Sequence, residues 1–319
     1  MLVKGQAGWA EWSPFLEYPL PEAARWLASA IEWATTPLVP AAESYPTAAP
    51  HPTTRGQLPE SVPVNATVPA CDPVQVPHIL ARFSGASTVK VKVAEAGHTV
   101  EHDMARIRAV RAAAPDAWIR LDANGAYPLK QAQTLIHRLI DDPEILTHLD
   151  YIEQPVATVE ALARLREWVR NHGFGVHIAA DESIRKAEDP YRVAALGAAD
   201  VIVIKVQPLG GVAAALRVVH QVGLPAVVSS ALETSVGLAA GAHLAALLPA
   251  RPAGLGTGGL LTADVTHHRL LSTHGYVPVT TVEPEQDCLE AVAAAPSRRD
   301  WWLGRLEQCW EYLYRGATS

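Results

Sequence analysis

From about Val62 onward the chain repeats one pattern. A short run rich in Val, Ile and Ala gives way to a longer stretch of helical periodicity, and another short run follows. The short runs are "VPVNATV", "TVKVKV", "WIRLDA", "LDYIEQP", "VHIAADE", "DVIVIKV", "PAVVSS" and, more weakly, "AGLGTG". The helical stretches between them include "TVEHDMARIRAVRAAAP" from Thr99, "PLKQAQTLIHRLIDD" from Pro128 and "TVEALARLREWVRNHG" from Thr158. Further along come "KAEDPYRVAALGA", "GVAAALRVVHQVG" and "SVGLAAGAHLAALLP". Thr158 predicts a helix start close by. Strands alternating with helices at intervals of roughly 25–30 residues predict parallel βαβ units. Eight such runs fit a closed (β/α) barrel of ~200 or more residues. The rival is an open doubly wound sheet, but no GxGxxG follows a first strand.

The ends of the chain are patterned differently. "MLVKGQAGWAEW" is expected to be a strand, followed by a turn and a helix with an aromatic and alanine face in "SPFLEYPLPEAARWLASAIEWA". Thr36 to Pro63 is rich in Pro, Thr and Ala and is expected to be a linker or a loose helical cap. The aromatic "RRDWWLGRLEQCWEYLYRG" near the C-terminus is expected to be helical and to pack back on the N-terminal segment. The architecture expected is α/β: a (β/α)7β TIM-like barrel over residues 62–280. A smaller α+β capping domain is built from residues 1–61 and 281–319.

Composition narrows the functional classes. The 319 residues are 49% hydrophobic and carry a net charge of −7, with acids and bases interspersed. That length suffices for one large domain, or a large and a small one. No basic stripe suggests nucleic acid. No apolar run reaches the ~18 residues of a membrane span, and the N-terminus lacks the apolar core of a signal peptide. Cys71, Cys288 and Cys309 are scattered and form neither a disulfide framework nor a zinc spacing. A cytoplasmic monomer acting on a small molecule is the expectation.

The chemistry gathers at the ends of the predicted strands, where the active sites of such barrels lie. The second run ends in Lys90 and Lys92, the third in Asp122 and then Asn124, and the fourth in Glu153 and then Gln154. The fifth ends in Asp181 and Glu182, the sixth in Lys205, and the seventh in Ser229, Ser230 and, just beyond, Glu233. In "VKVKV" the two lysines share one face and the valines the other. If the lysines point inward they need counter-charge, which carboxylates from the next three strands supply. Clustered carboxylates repel one another in turn, and a divalent cation removes that conflict. An all-oxygen donor set favours Mg²⁺, or Mn²⁺. A metal with ammonium groups on both sides suits removal of a proton α to a carboxylate, followed by elimination or reprotonation. Taken singly, each acid is more simply a helix cap or turn residue, and the lysine pair a solvated edge. The ordered series of Lys, acid, acid, acid and Lys over five successive strands is what those plainer readings do not predict. Among 13 histidines there is no HxH or HExxH pair, and His267-His268 fall in a polar loop. GxSxG is absent.

These residues resemble the enolase superfamily. "KVKV" is similar to the KxK motif of its muconate-lactonising branch, "DANG", "IEQP" and "ADES" to its three metal-ligand motifs, and "IKVQPLGG" to its sixth-strand lysine motif. The resemblance implies Lys92 and Lys205 as catalytic residues on opposite faces of the substrate and Asp122, Glu153 and Asp181 as ligands of Mg²⁺. Lys90, Asn124, Ser229, Ser230 and Gly256 are expected to contact the substrate, a small carboxylate. "GWAEWSPFLEY", "SSALETSVGLAAGAHLAALLP" and "GLGTGGLL" narrow the resemblance to members that dehydrate 2-succinyl-6-hydroxy-2,4-cyclohexadiene-1-carboxylate, a step of menaquinone biosynthesis. The alternative within the superfamily is an N-succinylamino-acid racemase or dipeptide epimerase. Outside it, the rival is a silent scaffold that keeps the barrel without the chemistry. The resemblance also implies a further N-terminal strand with a mobile lid loop, which this chain is expected to lack.

Overall fold

In the computed structural model, residues 1–36, 58–185 and 189–315 are described. Most of the Pro-rich stretch from Thr36 to Pro63 therefore lies outside the described residues. Among them, no helix is long and apolar enough to cross a membrane.

The chain opens with a hairpin, where one strand was expected. Strand β1 (Leu2–Gly5) turns back through Gln6 and Ala7 and pairs antiparallel with β2 (Gly8–Glu11). Gly8, at φ +132°, adopts a conformation open to glycine but not to larger residues. The helix Leu20–Thr35 follows, with Ala23, Ala24, Trp26, Leu27, Ala30 and Ala34 on its buried stripe. This spacing of three and four residues makes one apolar face. The face packs with Trp12 and with Trp302, Leu306 and Cys309 of the C-terminal helix Pro296–Arg315. Trp12 meets Trp302 edge to face at 5.4 Å, and its indole N–H donates to the Ala23 carbonyl at 3.1 Å.

The run "VPVNATV" is divided between two sheets. Residues Ser61–Pro63 (β3) and Ala66–Val68 (β4) are separate strands. Pro63 has no N–H to carry the ladder onward. Instead, the Val64 N–H bonds to the Gly275 carbonyl. Strands β5 (Thr88–Lys92), β6 (Trp118–Asp122), β7 (Leu149–Glu153), β8 (Ile178–Ala180), β9 (Val201–Ile204) and β10 (Ala226–Val228) continue from β4. Together they form one seven-stranded parallel sheet in sequential order. The last strand, β11 (Tyr276–Pro278), pairs antiparallel with β3.

The expected eighth barrel strand, "AGLGTG", is reduced to a seam. Ala253 bridges Val64 on one edge of the sheet, and Gly254 bridges Ser229 on the other. Four backbone bonds close the ring: Ala253 N–H to Pro63, Asn65 N–H to Ala253, Gly254 N–H to Val228 and Ser230 N–H to Gly254. Gly254 is required at this approach, because a Cβ would come within 2.5 Å of the Ser229 hydroxyl. A short 3-10 turn, Gly256–Leu260, follows immediately.

Helices Val100–Ala113, Leu129–Ile140, Val159–Asn171, Asp189–Ala195, Val212–Val222 and Ser235–Ala246 surround the barrel. Helix Leu129–Ile140 buries Ala132, Leu135, Ile136 and Leu139, one face at helical spacing. The Thr158 hydroxyl accepts from the Ala161 N–H and so starts helix Val159–Asn171. Two other helices are capped from far away. The Glu32 carboxylate accepts from the N–H groups of Val212 and Ala213. The Glu11 carboxylate accepts from the Thr234 N–H and hydroxyl. Each such cap contributes about 0.5–2 kcal/mol, and both fasten the N-terminal segment to the barrel.

Strand alternation decides which side chains face inward. Val89, Val91, Ile119, Leu121, Ile152, Ile178, Ile202 and Ile204 belong to the apolar core against the helices. The opposite faces carry Lys90 and Lys92, in register with Arg120 and Asp122, and a small cluster of Tyr151, Ala179, Val201, Val203 and Val227. Arg120 plugs the barrel interior. It bonds to Asp150 and Asn65, and its guanidinium lies 4.9 Å from the Tyr151 ring centroid.

Candidate active site

At the C-terminal mouth of the barrel is a cavity of about 450 Å³. Lys90, Lys92, Asp122, Asn124, Asp181 and Lys205 are part of its wall. The registers Lys92–Asp122 and Asp122–Glu153 place these side chains at one level. Asp181 lies two residues beyond Ala179, the partner of Glu153, and so returns to the same face.

The charged groups are arranged as two ammonium-bearing flanks around three acids. Lys90 Nζ donates to Glu153 Oε1 at 2.6 Å and lies 2.8 Å from Asp122 Oδ2. Lys92 Nζ donates to Asp122 Oδ2 at 2.6 Å and to Asn124 Oδ1 at 2.7 Å. On the far side, Lys205 Nζ donates to both oxygens of Asp181, at 2.6 and 2.5 Å. Glu153 is fully buried, and its second oxygen, Oε2, has no hydrogen-bond partner. Burial, and then the neighbouring Asp122 charge, push its carboxyl up to about 7. Burial opposes ionisation at Asp122 too, but Lys90 and Lys92 overcome it and hold that carboxyl down at about 2. Asp181 is likewise buried, and Lys205 followed by Arg185 keeps it well below the usual carboxylate range. Burial disfavours the Lys90 ammonium, yet the Glu153 and Asp122 carboxylates raise its pKa well above the ordinary value.

An orphaned carboxylate oxygen inside an acidic trio fits a hard divalent cation, which would take oxygen ligands and relieve the repulsion. Glu153 Oε2 is that oxygen.

The backbone around the acids is strained in one consistent way. Ala94, Asn124 and Gln154 adopt φ of 62°, 45° and 38°, each one or two residues past Lys92, Asp122 or Glu153. Leu232, on the loop after β10, sits at 65°. Left-handed non-glycine residues cost about 1–3 kcal/mol each and gather where function fixes the chain. Gln154 stabilises the turn it occupies. Its amide donates to Val156 O and Ser183 Oγ, and its oxygen accepts from the N–H groups of Asp181 and Ser183. Gln154 therefore sets the backbone that carries Asp181. Arg106, buried and paired with Asp103, donates to the Lys92 carbonyl at 2.8 Å and fixes the end of β5.

Of the residues expected to contact substrate, Lys90, Asn124, Ser229 and Ser230 line the cavity. Gly256 does not. It faces the barrel wall, where a Cβ would stand 3.1 Å from the Asn65 carbonyl oxygen and 3.5 Å from the Phe83 ring. The seam loop instead contributes Gly254, Thr257 and Leu260, with Thr257 Oγ1 2.7 Å from Ser230 Oγ. Glu233 also turns away from the cavity and accepts from the Ala231 N–H. Sequence reasoning missed Thr67, Phe15 and Arg185 in the lining. Thr67 is in register with Lys90, so the alternation in "NATV" carries its signal. Arg185 follows Asp181 by four residues across the 3-10 turn Glu182–Ile184, and it pairs with Asp181 and Glu182 at 2.8 and 2.7 Å. Phe15 arrives from the N-terminal segment, and no local pattern marks it.

Residues 79–284 match the enolase C-terminal domain-like family, and residues 1–34 match the enolase N-terminal domain-like family. The chain belongs to the enolase superfamily. Among curated relatives, an o-succinylbenzoate synthase of Mycobacterium ulcerans (strain Agy99) is 47% identical over 317 residues, covering 98% of this chain and 88% of the relative. One from Thermobifida fusca (strain YX) is 48% identical over 318 residues, covering 99% and 92%. Among solved structures, a dipeptide epimerase from Enterococcus faecalis V583, complexed with Mg and the dipeptide L-Leu-L-Tyr, superposes with a TM-score of 0.60. It is 28% identical over 70% of this chain and 63% of that one. A mandelate racemase/muconate lactonizing enzyme from Roseiflexus sp. gives 0.61 at 29% identity, over 72% and 67%.

Proposed function

We propose that the protein is an o-succinylbenzoate synthase, a hydro-lyase that converts 2-succinyl-6-hydroxy-2,4-cyclohexadiene-1-carboxylate to o-succinylbenzoate. The observation that carries the reading is the pair Lys92 and Lys205 on the wall of one cavity, bonded to different acids, Asp122 and Asp181, with Glu153 buried behind Lys90. Near-full-length identity of 47–48% to synthases supports the substrate. The proposed metal ligands are Asp122, Glu153 and Asp181, with Mg²⁺ as the ion. When bound, that ion supplies Lewis-acid stabilisation of charge on the substrate carboxylate.

The chain's own residues do the rest. Lys92 Nζ, as the free amine, takes the proton from the carbon bearing the carboxylate. The Lys205 ammonium, facing from the other side, balances the negative charge that develops on the substrate. The ring C–O bond then breaks. The departing hydroxide takes the proton from Lys92 and leaves as water, and the ring becomes aromatic. Lys90, locked between Glu153 and Asp122, keeps the acids ionised and spaced. Asn124 orients Lys92, and Ser229 and Ser230 receive the polar groups of the succinyl arm. We take residues 62–280 as the catalytic barrel and residues 1–61 with 281–319 as the cap, in a cytoplasmic monomer.

The test is turnover of the cyclohexadiene carboxylate by the purified full chain, with Mg²⁺ and with EDTA. Metal-dependent formation of o-succinylbenzoate, lost in Lys92→Ala, is the expected result. Racemisation of an N-succinylamino acid without dehydration would overturn it.

A further inference from the structure

The barrel acids do not exhaust the metal-binding chemistry of the chain. His267, Glu285, Asp287 and Cys288 place a ring nitrogen, two carboxylate oxygens and a sulfur all within 4.8 Å of one another. His267 lies in the loop that follows the seam turn, and the other three stand at the start of the segment Gln286–Ala291. The two stretches are already tied together. The Glu285 N–H donates to the Val265 carbonyl, and the His267 N–H donates to Glu285 Oε2 at 2.6 Å. His267 Nε2 sits 2.9 Å from Asp287 Oδ2, and Cys288 Sγ is 4.0 Å from Glu285 Oε2. His268 Nε2 is a further 3.7 Å neighbour of Glu285 Oε1.

The donor set differs in kind from that of the barrel. Oxygen alone suits a hard cation, whereas nitrogen and sulfur with carboxylate suit zinc and its borderline relatives. Bond lengths of 2.0–2.3 Å in a tetrahedral zinc site put ligand atoms roughly 3.3–3.8 Å apart. The observed 4.8 Å limit is therefore about 1 Å of side-chain adjustment from closure.

We propose that His267, Glu285, Asp287 and Cys288 form a second, structural site for a zinc-class ion, which pins the C-terminal segment to the loop after the barrel seam. That loop is tied to the turn that carries Thr257 and Leu260 of the cavity wall. Asp264 accepts from the Ser235 N–H and hydroxyl at the head of helix Ser235–Ala246, and Arg269 donates to the Gly258 and Leu261 carbonyls.

Cobalt is the probe, because thiolate ligation gives a charge-transfer band in the near ultraviolet that oxygen ligands do not. The full chain is first saturated with Mg²⁺ and then titrated with Co²⁺. The expected result is one equivalent bound with the thiolate band, displaced by Zn²⁺. Cys288→Ser abolishes the band, whereas Cys71→Ser and Asp122→Asn keep it. Exposed Asp287→Asn lowers the affinity by ~10-fold or more and leaves the fold intact, so the test survives if Cys288→Ser fails to fold. Absence of the band at millimolar Co²⁺, its persistence in Cys288→Ser, or unchanged affinity in Asp287→Asn overturns the proposal. The barrel reading of the active site stands or falls separately, on turnover.

Discussion

Glu233 offers a prediction whose size follows from the structure. It is 4% exposed and sits at the joint between the N-terminal segment and the barrel. A Cβ on Gly237 would meet Glu233 Cβ at 2.6 Å and Glu11 Oε2 at 2.9 Å, so the two side chains approach each other there. Burial, and then the Glu11 charge, push the Glu233 carboxyl from 4.5 up to about 7. The folded pKa is raised, so between 4.5 and about 7 the folded chain keeps a proton that the unfolded chain releases. Stability therefore falls as pH rises through that window, and the penalty is complete above it. The gap corresponds to ~3 kcal/mol. Glu233→Gln keeps an acceptor for the Ala231 N–H and carries no charge. It is expected to stabilise the protein by up to ~3 kcal/mol at about pH 8.5 and by ~0 near pH 4.5. Urea unfolding of both proteins across this range, with saturating Mg²⁺, measures the difference. Glu153 titrates equally in both proteins and cancels. A difference that stays constant with pH would refute the linkage, and one that grows toward acid would reverse its sign.

Three further outcomes are expected. Lys205→Gln should lower kcat by ~10²–10⁴-fold without weakening Mg²⁺ binding in calorimetry, since the Asp181 oxygens it releases become available to the ion; a loss under tenfold would remove Lys205 from the chemistry. Arg185→Met should raise KM for the doubly anionic substrate about tenfold or more and should not weaken Mg²⁺ binding, because the guanidinium on Asp181 is gone; an unchanged KM would make Arg185 only a structural partner of Asp181. His243 is 2% exposed, its Nδ1 is unpartnered, and burial lowers its pKa to about 4. A histidine depressed in this way destabilises the fold as pH falls from 6.5 toward 4, so His243→Leu should flatten the acid limb of the stability curve by up to ~3 kcal/mol; identical acid limbs would contradict this.

The barrel was legible because its strands and helices advertise themselves locally. Alternation in "VKVKV" predicts that both lysines share a face, and the register with Asp122 shows that face to be the interior. The division of "VPVNATV" was not legible. Both halves alternate well, and only the distant partners Gly275 and Ala253 reveal that they join different sheets. The hairpin in "MLVKGQAGWAEW" was hidden for a related reason: its turn residues, Gln6 and Ala7, carry no strong turn signal. At the cavity, charged residues closing apolar runs stood out. Phe15 did not, because its place depends on how the N-terminal segment docks. Glu11 and Glu32 belong to no motif in the sequence, yet each caps a helix more than a hundred residues away. Gly256 illustrates the converse error. A glycine in a motif-like loop suggests backbone contact with a ligand, but here it serves close packing against Asn65.

The seam at Ala253–Gly254 also bears on how the molecule assembles. The seven-stranded sheet can grow by adding neighbours in chain order, each joined to the last through a helical crossover. The ring closes only when a late segment finds Pro63 and Asn65 at the far edge, with a pair of bonds on each side. Contacts between such distant parts of a chain form slowly, because loop closure must precede any gain. The seam should therefore be the last part to form on refolding and the first to open in the native state, visible as early amide exchange at Asn65, Ala253 and Gly254 relative to β6 and β7. Asn65, Ser229 and Gly254 also wall the cavity. Substrate that grips both sides of the seam would act as a clasp on the barrel, slowing its unfolding as well as undergoing reaction.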